Sequence, residues 1–455
     1  MVPVDLESEK PLYLQMKEIL KERFLSGKKD ITKLPTEIEL ASEYNVNRMV
    51  VQRAIRQLCK EGYLYRRPKL GTFISQKKKE TLRIAYYEMS AYSMKKIFSL
   101  FEKSHPNISI EGTEFSTSEG YSKNIAKMIS SNNVDIIKVS ESLFRNFDAP
   151  NSFYSLNSYV KPRKDNTYLK PWKAFKSVNT HYGFPIAFSP VVMTYNKNMF
   201  DKAGISYPKD GWNWDDFLSK AKNLTGSGQY GFLFSASFNR WPAFILQNGG
   251  RLLKNDDKSF NLSSAECREA INFIQNLMYK WKVAPAFGDP LEKPSSLFPR
   301  SKIAMMMVSY YAFNDFNKIE NFTWDIAPLP KKKCKTTILL ADGFVVSKKT
   351  TNFNMALEFL KFIQSSTVQK YIKGCKTLVP VNKDIAEKNH GWIPKNYKMY
   401  KQILPYAELL NLPLSSSHTE ILKEEINLLW HGLQSYEETC EHIENRLKNE
   451  SKFIE

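Results

Sequence analysis

The stretch VNRMVVQRAIRQLCKEGYLYRR, residues 46–67, sets Arg48, Gln52 and Arg56 four residues apart, with Met49 and Arg53 beside them. At 100° per residue these side chains share one side of a helix, and Val51, Ala54, Ile55 and Leu58 form an apolar stripe on the other. Guanidinium and carboxamide groups are planar. Each can make two parallel hydrogen bonds to a flat edge of acceptors or to an oxyanion. The plainer alternative for this face is a solvated charged surface.

The surrounding elements decide what such a helix could do. The pattern predicts a first helix from about Leu12 to Leu25, with Leu12, Met16, Ile19 and Leu20 inward. Thr36 followed three residues later by Glu39 is a capping box that starts a second helix. Asn47 caps the third, Gly62 ends it, and YLYRR and GTFI read as two strands around a short turn. Three helices and a hairpin form a winged helix, in which the apolar stripe packs inward and the other face can enter the major groove.

PLYLQMKEIL, LPTEIELASEYNVNRMVVQRAIRQLCKEGYLYRR and GTFI, in that order over about residues 9–76, resemble the GntR-type winged-helix domain of bacterial transcription regulators. The resemblance implies phosphate contacts from Thr36 and Asn47, a base or phosphate contact from Arg48, and a wing built on Arg66, Arg67, Gly71 and Thr72. With Met49, Gln52 and Arg53 these are the candidate DNA-binding residues. Ile38 stands where the family usually has a base-reading arginine, Met49 and Val50 replace two threonines, and Gln52 replaces another arginine. Pro68 and Lys69 occupy the wing tip in place of a glycine. Gln52 can pair with adenine and Met49 can touch a thymine methyl, so the expected operator is richer in A·T than a typical site for the family.

Charge agrees with a polyanion partner for this segment. Residues 1–79 carry 17 Lys/Arg against 10 Asp/Glu, a balance of +7, which leaves +12 of the total +19 for the other 376 residues. A generally lysine-rich composition is the competing explanation. Cys59, Cys267, Cys334, Cys375 and Cys440 show no C-x-x-C or Cys/His spacing, so neither a disulfide framework nor a metal site is expected. The start, MVPVDLESEKPLY, reads as no secretory signal. Apolar runs such as IAMMMV at 303–308 are too short to span a bilayer, so a cytoplasmic protein with no membrane partner is expected.

After SQKKKETLR, residues 75–83, strands alternate with helices: LRIAYYE, SMKKIFSLFEKSHP, ISIEGTEF, GYSKNIAKMISSN and VDIIKVS. This alternation predicts a parallel α/β sheet with ligands beyond its strand ends, at Glu88 to Ser90 and Ser140 to Ser142. YGFPIAFSPVVMTYNKNMFDKAGISYP, GWNWDDFLSKAKNLT, WPAFILQNGG, SKIAMMMVSYY, WDIAPLP and EFLKFIQSSTVQKYI then resemble, in order over about residues 82–447, the family 1 extracellular solute-binding proteins of the maltodextrin-binding type. Ser301 departs from the glycine common before KIAM.

That resemblance implies two lobes joined by crossing strands near 185–192 and around 300 and 335. It places Ser189 at the hinge, and Ser90, Ser140, Glu141 and Asp342 as polar ligand contacts. Trp241, Tyr310 and Tyr311 become the aromatics that stack on a sugar. A sugar has an apolar C–H face and a rim of hydroxyls, so flat aromatics with short polar groups suit it. With 60 Phe, Trp and Tyr, most aromatics must instead be core, and Trp212 and Trp214 are placed there.

The expected fold class is therefore multidomain: an N-terminal α+β winged helix-turn-helix at 9–77, a linker at 78–82, and an α/β two-lobed periplasmic-binding-protein-like fold at 83–447. No nucleophile elbow, P-loop, G-x-G-x-x-G or H-E-x-x-H occurs, and no enzyme, cofactor or metal is expected. The expected partners are a double-stranded DNA operator, a small sugar-like effector and a second copy of the chain. The alternatives are a GntR-type regulator with a pyridoxal-phosphate aminotransferase-like domain, and a solute-binding transport receptor with an incidental N-terminal segment.

Overall fold

The computed structural model describes residues 10–24, 33–68, 70–74, 79–87, 92–115, 121–160, 166–226, 228–254, 260–286, 297–309, 312–316, 318–375, 378–387, 397–410, 412 and 416–451. They divide into two compact units, Met1–Arg83 with Lys95–Glu111, and Ile84–Met94 with Gly112–Glu455.

The first unit contains α1 (Leu12–Phe24), α2 (Glu37–Glu43), α3 (Arg48–Lys60), and the hairpin of β1 (Leu64–Arg67) and β2 (Gly71–Ile74). Caps set the helix starts. Thr36 and Glu39 exchange hydrogen bonds of 3.2 and 2.7 Å, and the Asn47 Oδ1 accepts from the Met49 N–H at 2.8 Å. Gly62, at φ 78°, turns the chain out of α3. Val51, Ala54, Ile55 and Leu58 pack with Met16, Leu20, Phe24 and Leu40 in one apolar core, so the stripe on α3 is the buried one. Gly71 has φ 112°, and a Cβ there would lie 2.9 Å from the Lys33 Cε; the wing needs a glycine at this position.

The linker was expected at 78–82, of which residue 78 lies outside the described residues. β3 (Glu80–Tyr86) begins inside it, Leu82 is buried, and the division between the units falls within that strand. α4 (Met94–Ser104), β4 (Ile108–Glu114), α5 (Tyr121–Ser130), β5 (Ile136–Ser140) and the short α6 (Glu141–Arg145) follow in the anticipated alternation.

The larger unit contains two lobes. After a hairpin of β6 (Lys176–Ser177) and β7 (Thr180–His181) come β8 (Gly183–Pro190) and β9 (Val192–Asn196). β10 (Tyr230–Leu233), β11 (Ile303–Val308), β12 (Trp324–Ala327), β13 (Thr337–Val346), β14 (Val379–Pro380) and β15 (Ala407–Glu408) complete the strands. The first lobe's sheet includes the order β14, β8, β13, β5, β3, and the second lobe's sheet runs β10, β11, β9, β12.

The first sheet is mixed where a parallel sheet was anticipated. β3 and β5 are parallel, but β13 lies antiparallel between β5 and β8. β8 leaves the lobe and β13 returns to it, so the two must run in opposite directions. The first crossing is at Val191, whose N–H donates to the Ile338 carbonyl at 2.8 Å and whose carbonyl accepts from the Thr337 hydroxyl at 2.6 Å. The second lies between β12 and β13. No crossing occurs around 300, because β11 sits between β10 and β9 in the second sheet. The third follows β15, which pairs with β13, and leads to helices Ser416–Trp430 and Tyr436–Ser451 in the second lobe's core.

Candidate nucleic-acid interface and candidate ligand site

On the first unit, Arg48, Met49, Arg53, Arg66, Arg67, Gly71, Thr36 and Asn47 are exposed, and Gln52 and Thr72 half-buried. One carboxylate organises this surface. Glu37, in the first turn of α2, accepts from the Arg48 Nε at 3.3 Å and from the Arg66 guanidinium at 2.5 Å. The start of α3 and the wing strand β1 are thereby tied to the start of α2. Arg53 stacks over the Tyr13 ring at 4.1 Å, and Arg67 lies 5.5 and 5.4 Å from the Tyr65 and Phe73 rings, which stack on each other. A row of oriented planar cations beside two N-capped helices can bind phosphates and base edges.

In the first lobe, the strand ends gather a different cluster. Lys138 on β5 is fully buried; its Nζ donates to the Tyr87 carbonyl at 3.1 Å and lies 3.8 Å from the Asp342 carboxylate. Tyr87 and Tyr92 donate their hydroxyls to the two Asp342 oxygens at 3.0 and 3.3 Å, and the ammonium sits 4.2 and 4.6 Å from their ring centroids. A charged lysine inside a protein needs such an anion, carbonyl and π-face set to offset lost hydration.

Glu141, where α6 begins, accepts from the Ala341 N–H at 2.9 Å. Burial pushes its carboxyl up to about 7; the Ala341 hydrogen bond and the charge of Arg145 act against the rise, and Asp342 adds to it. Ser140 caps α6 through its hydroxyl, which accepts from the Leu143 N–H. Two neighbouring residues of β13, Ala341 and Asp342, are thus each held by a buried acid–base partner.

Residues 87–370, more than half of the chain, match the family described as bacterial extracellular solute-binding protein. The chain belongs to that family. Residues 12–74 match a second one, the bacterial regulatory proteins of the gntR family. A binding protein of Brucella abortus is 24% identical over 263 residues, 55% of this chain and 62% of that relative, so the chain spans about three fifths of its length. The HTH-type transcriptional regulator YurK of Bacillus subtilis is 46% identical over 72 residues, 16% of this chain and 30% of that protein. Among solved structures, an ABC substrate-binding protein of Listeria monocytogenes in complex with cycloalternan has a TM-score of 0.73 at 24% identity, covering 82% of this chain and 99% of that one.

The solute-binding match displaces the aminotransferase-like alternative. Within this family member, the anticipated ligand residues separate. Ser140, Glu141 and Asp342 meet where β5 pairs with β13, with Ser140 opposite Asp342. Asp342 is engaged with Lys138 and two tyrosines rather than open to a ligand. Ser189 is fully buried on β8 just before the first crossing, and its hydroxyl donates to the Pro190 carbonyl. Trp241 is not a surface platform in this structure: it is fully buried, between Phe238 at 5.1 Å and Trp430 at 5.9 Å. Its position before Pro242, at the head of helix Pro242–Gln247, turns the indole into the second lobe's core. Trp212 and Trp214 are core, as anticipated. Ser90, Tyr310 and Tyr311, and Lys69 of the wing tip, lie outside the described residues.

Sequence reasoning missed Glu37, Lys138, Tyr87 and Tyr92. A lysine within the apolar run VDIIKVS was a usable signal, since an unpartnered lysine is almost never buried. Nothing comparable marked the tyrosines or Glu37. Among the described residues, no group of His, Cys, Asp and Glu is placed to hold a metal ion, and no helix is long and apolar enough to cross a membrane.

Proposed function

We propose that this chain is a cytoplasmic, ligand-responsive transcription regulator in which a sugar bound between the lobes of the solute-binding body alters operator binding by the winged helix. The observation that carries the reading is the gntR match over residues 12–74, joined in one chain to the solute-binding match over 87–370. The Listeria protein's cycloalternan complex supports a carbohydrate effector. The exposed arginines around Glu37 support a duplex partner, and a homodimer suits a two-fold operator.

In this mechanism, ligand draws the lobes together by bending at Val191 and the β12–β13 connection. Ser140, Glu141 and Ser189 lie on or beside the strands that bend. Closure then shifts the spacing of two winged helices across a dimer. A ligand shifts that balance only by binding one arrangement more tightly, typically by about 1–3 kcal/mol.

The test is duplex binding by the full chain at several salt concentrations, with and without members of a carbohydrate panel that raise its melting temperature. The expected result is salt-dependent DNA affinity that changes at saturating sugar. Identical affinity and footprint in both conditions would sink the switch. The likeness to an ABC substrate-binding protein favours one second reading, a transport receptor. It predicts the sugar-induced rise in melting temperature with no duplex binding at any salt.

A further inference from the structure

Eight large apolar side chains stand exposed among the described residues; Tyr159, Val178, Tyr279 and Leu433 are scattered along the larger unit, and the other four lie within the first 70 residues. Ile38, Met49, Tyr65 and Leu70 all belong to the winged-helix unit, at 64, 66, 39 and 56% exposure. Ile38 follows Glu37 in the first turn of α2, and Met49 follows Arg48 in the first turn of α3. The Glu37–Arg48 ion pair fastens those two turns side by side. Two exposed apolar side chains thereby stand on turns joined through one carboxylate, which also holds Arg66.

Neither side chain contributes to the core of its unit, so their exposure is a cost of hydration that folding does not remove. The duplex major groove offers one apolar group on its base edges, the thymine 5-methyl.

We infer that Ile38 and Met49 form a two-residue strip that reads thymine 5-methyl groups, with Ile38 as a specificity-determining residue beside Met49. The inference rests on the DNA-binding reading above and deepens it. What it adds to the Gln52–adenine and Met49–thymine contacts already expected is Ile38 of α2, as a further cause of the A·T preference.

The experiment selects duplexes from a random pool with the full chain, then replaces each selected thymine singly by deoxyuridine. That exchange removes the methyl and keeps every hydrogen-bonding group. Affinity is expected to fall about fourfold for each methyl in contact. In the Ile38→Ala, Met49→Ala double variant, thymine and deoxyuridine duplexes should bind alike, with an unchanged melting temperature because both side chains are exposed. The inference is overturned if the parent chain binds thymine and deoxyuridine duplexes equally at every position, or if the variant weakens both duplexes while keeping their ratio. A chain that binds no duplex at any salt would instead overturn the regulator reading itself.

Discussion

Glu37 and Asp342 each hold cations, in opposite surroundings. Glu37 spans Arg48 and Arg66, whose side chains are 62 and 46% exposed, whereas Asp342 and Lys138 are 1 and 0% exposed. Water and salt screen the first pair, so its arginines can exchange the carboxylate for a phosphate at little cost. The second pair cannot exchange anything without exposing a bare charge to an apolar interior. One kind of ion pair thus serves as a releasable orienting device on the winged helix, and as a fixed tie on the strand that enters the first lobe.

The largest effect should come from breaking the buried tie. Lys138→Met leaves Asp342 with two tyrosine hydroxyls and no cation, and should lower stability by roughly 3–5 kcal/mol in chemical denaturation. Adding Asp342→Leu should recover much of that loss, because two apolar groups need no counter-charge. A single variant as stable as the parent would show that the cluster is hydrated, and the contrast with Glu37 would disappear.

The next effect depends on pH. Glu141 ionises at about 7 in the folded chain against an ordinary value of 4.5. Below pH 4.5 it is neutral in both states and has no effect. As pH rises the unfolded chain ionises first, so stability falls until the folded carboxyl ionises near 7, by about 3 kcal/mol in all. Glu141→Gln keeps an acceptor for the Ala341 N–H and abolishes that slope. Its stability gain over the parent should be large at pH 8 and small at pH 4.5; equal gains would place Glu141 in contact with water.

On the exposed side the readout changes from stability to DNA binding. Arg48→Ala should weaken a selected duplex by about 1–3 kcal/mol if Arg48 pairs with a base, and leave the melting temperature in place. Loss shared equally by all duplexes, with a shallower salt dependence, would make Arg48 a phosphate contact.

What could be read from residue order alone follows the same divide between local and distant partners. Capping of α2 by Thr36 and of α3 by Asn47, and the inward stripe of Val51, Ala54, Ile55 and Leu58, are properties of neighbouring residues, and the winged helix was legible throughout. The β3-to-β5 alternation was legible for the same reason. The antiparallel insertion of β13 was not, since its register depends on a chain that leaves the lobe at Val191 and returns some 145 residues later. Trp241 was misplaced because an aromatic before a turn reads alike whether Trp430 covers it or solvent does. Asp342 was expected as a ligand contact; it lies within β13, and its engagement by Tyr87 and Tyr92 joins residues about 250 apart.

The smallest effect on folding, and the most informative about the comparison, belongs to Glu37→Gln. Exposed pairs of this kind contribute about 0–1 kcal/mol, so the melting temperature should barely move. DNA binding should move in a direction that mere loss of a contact would not produce. Arg48 and Arg66 lose the negative charge and one of the two oxygens that hold them, and become more available to phosphates. Affinity for random duplex should therefore rise, and the plot of log affinity against log salt should steepen by about one phosphate's worth, a slope change near 0.9. Affinity for the selected duplex should rise less, so the ratio between the two falls. If both affinities fell together with stability, Glu37 would be a tie of the same kind as Asp342, and exposure would not be what separates the two sites.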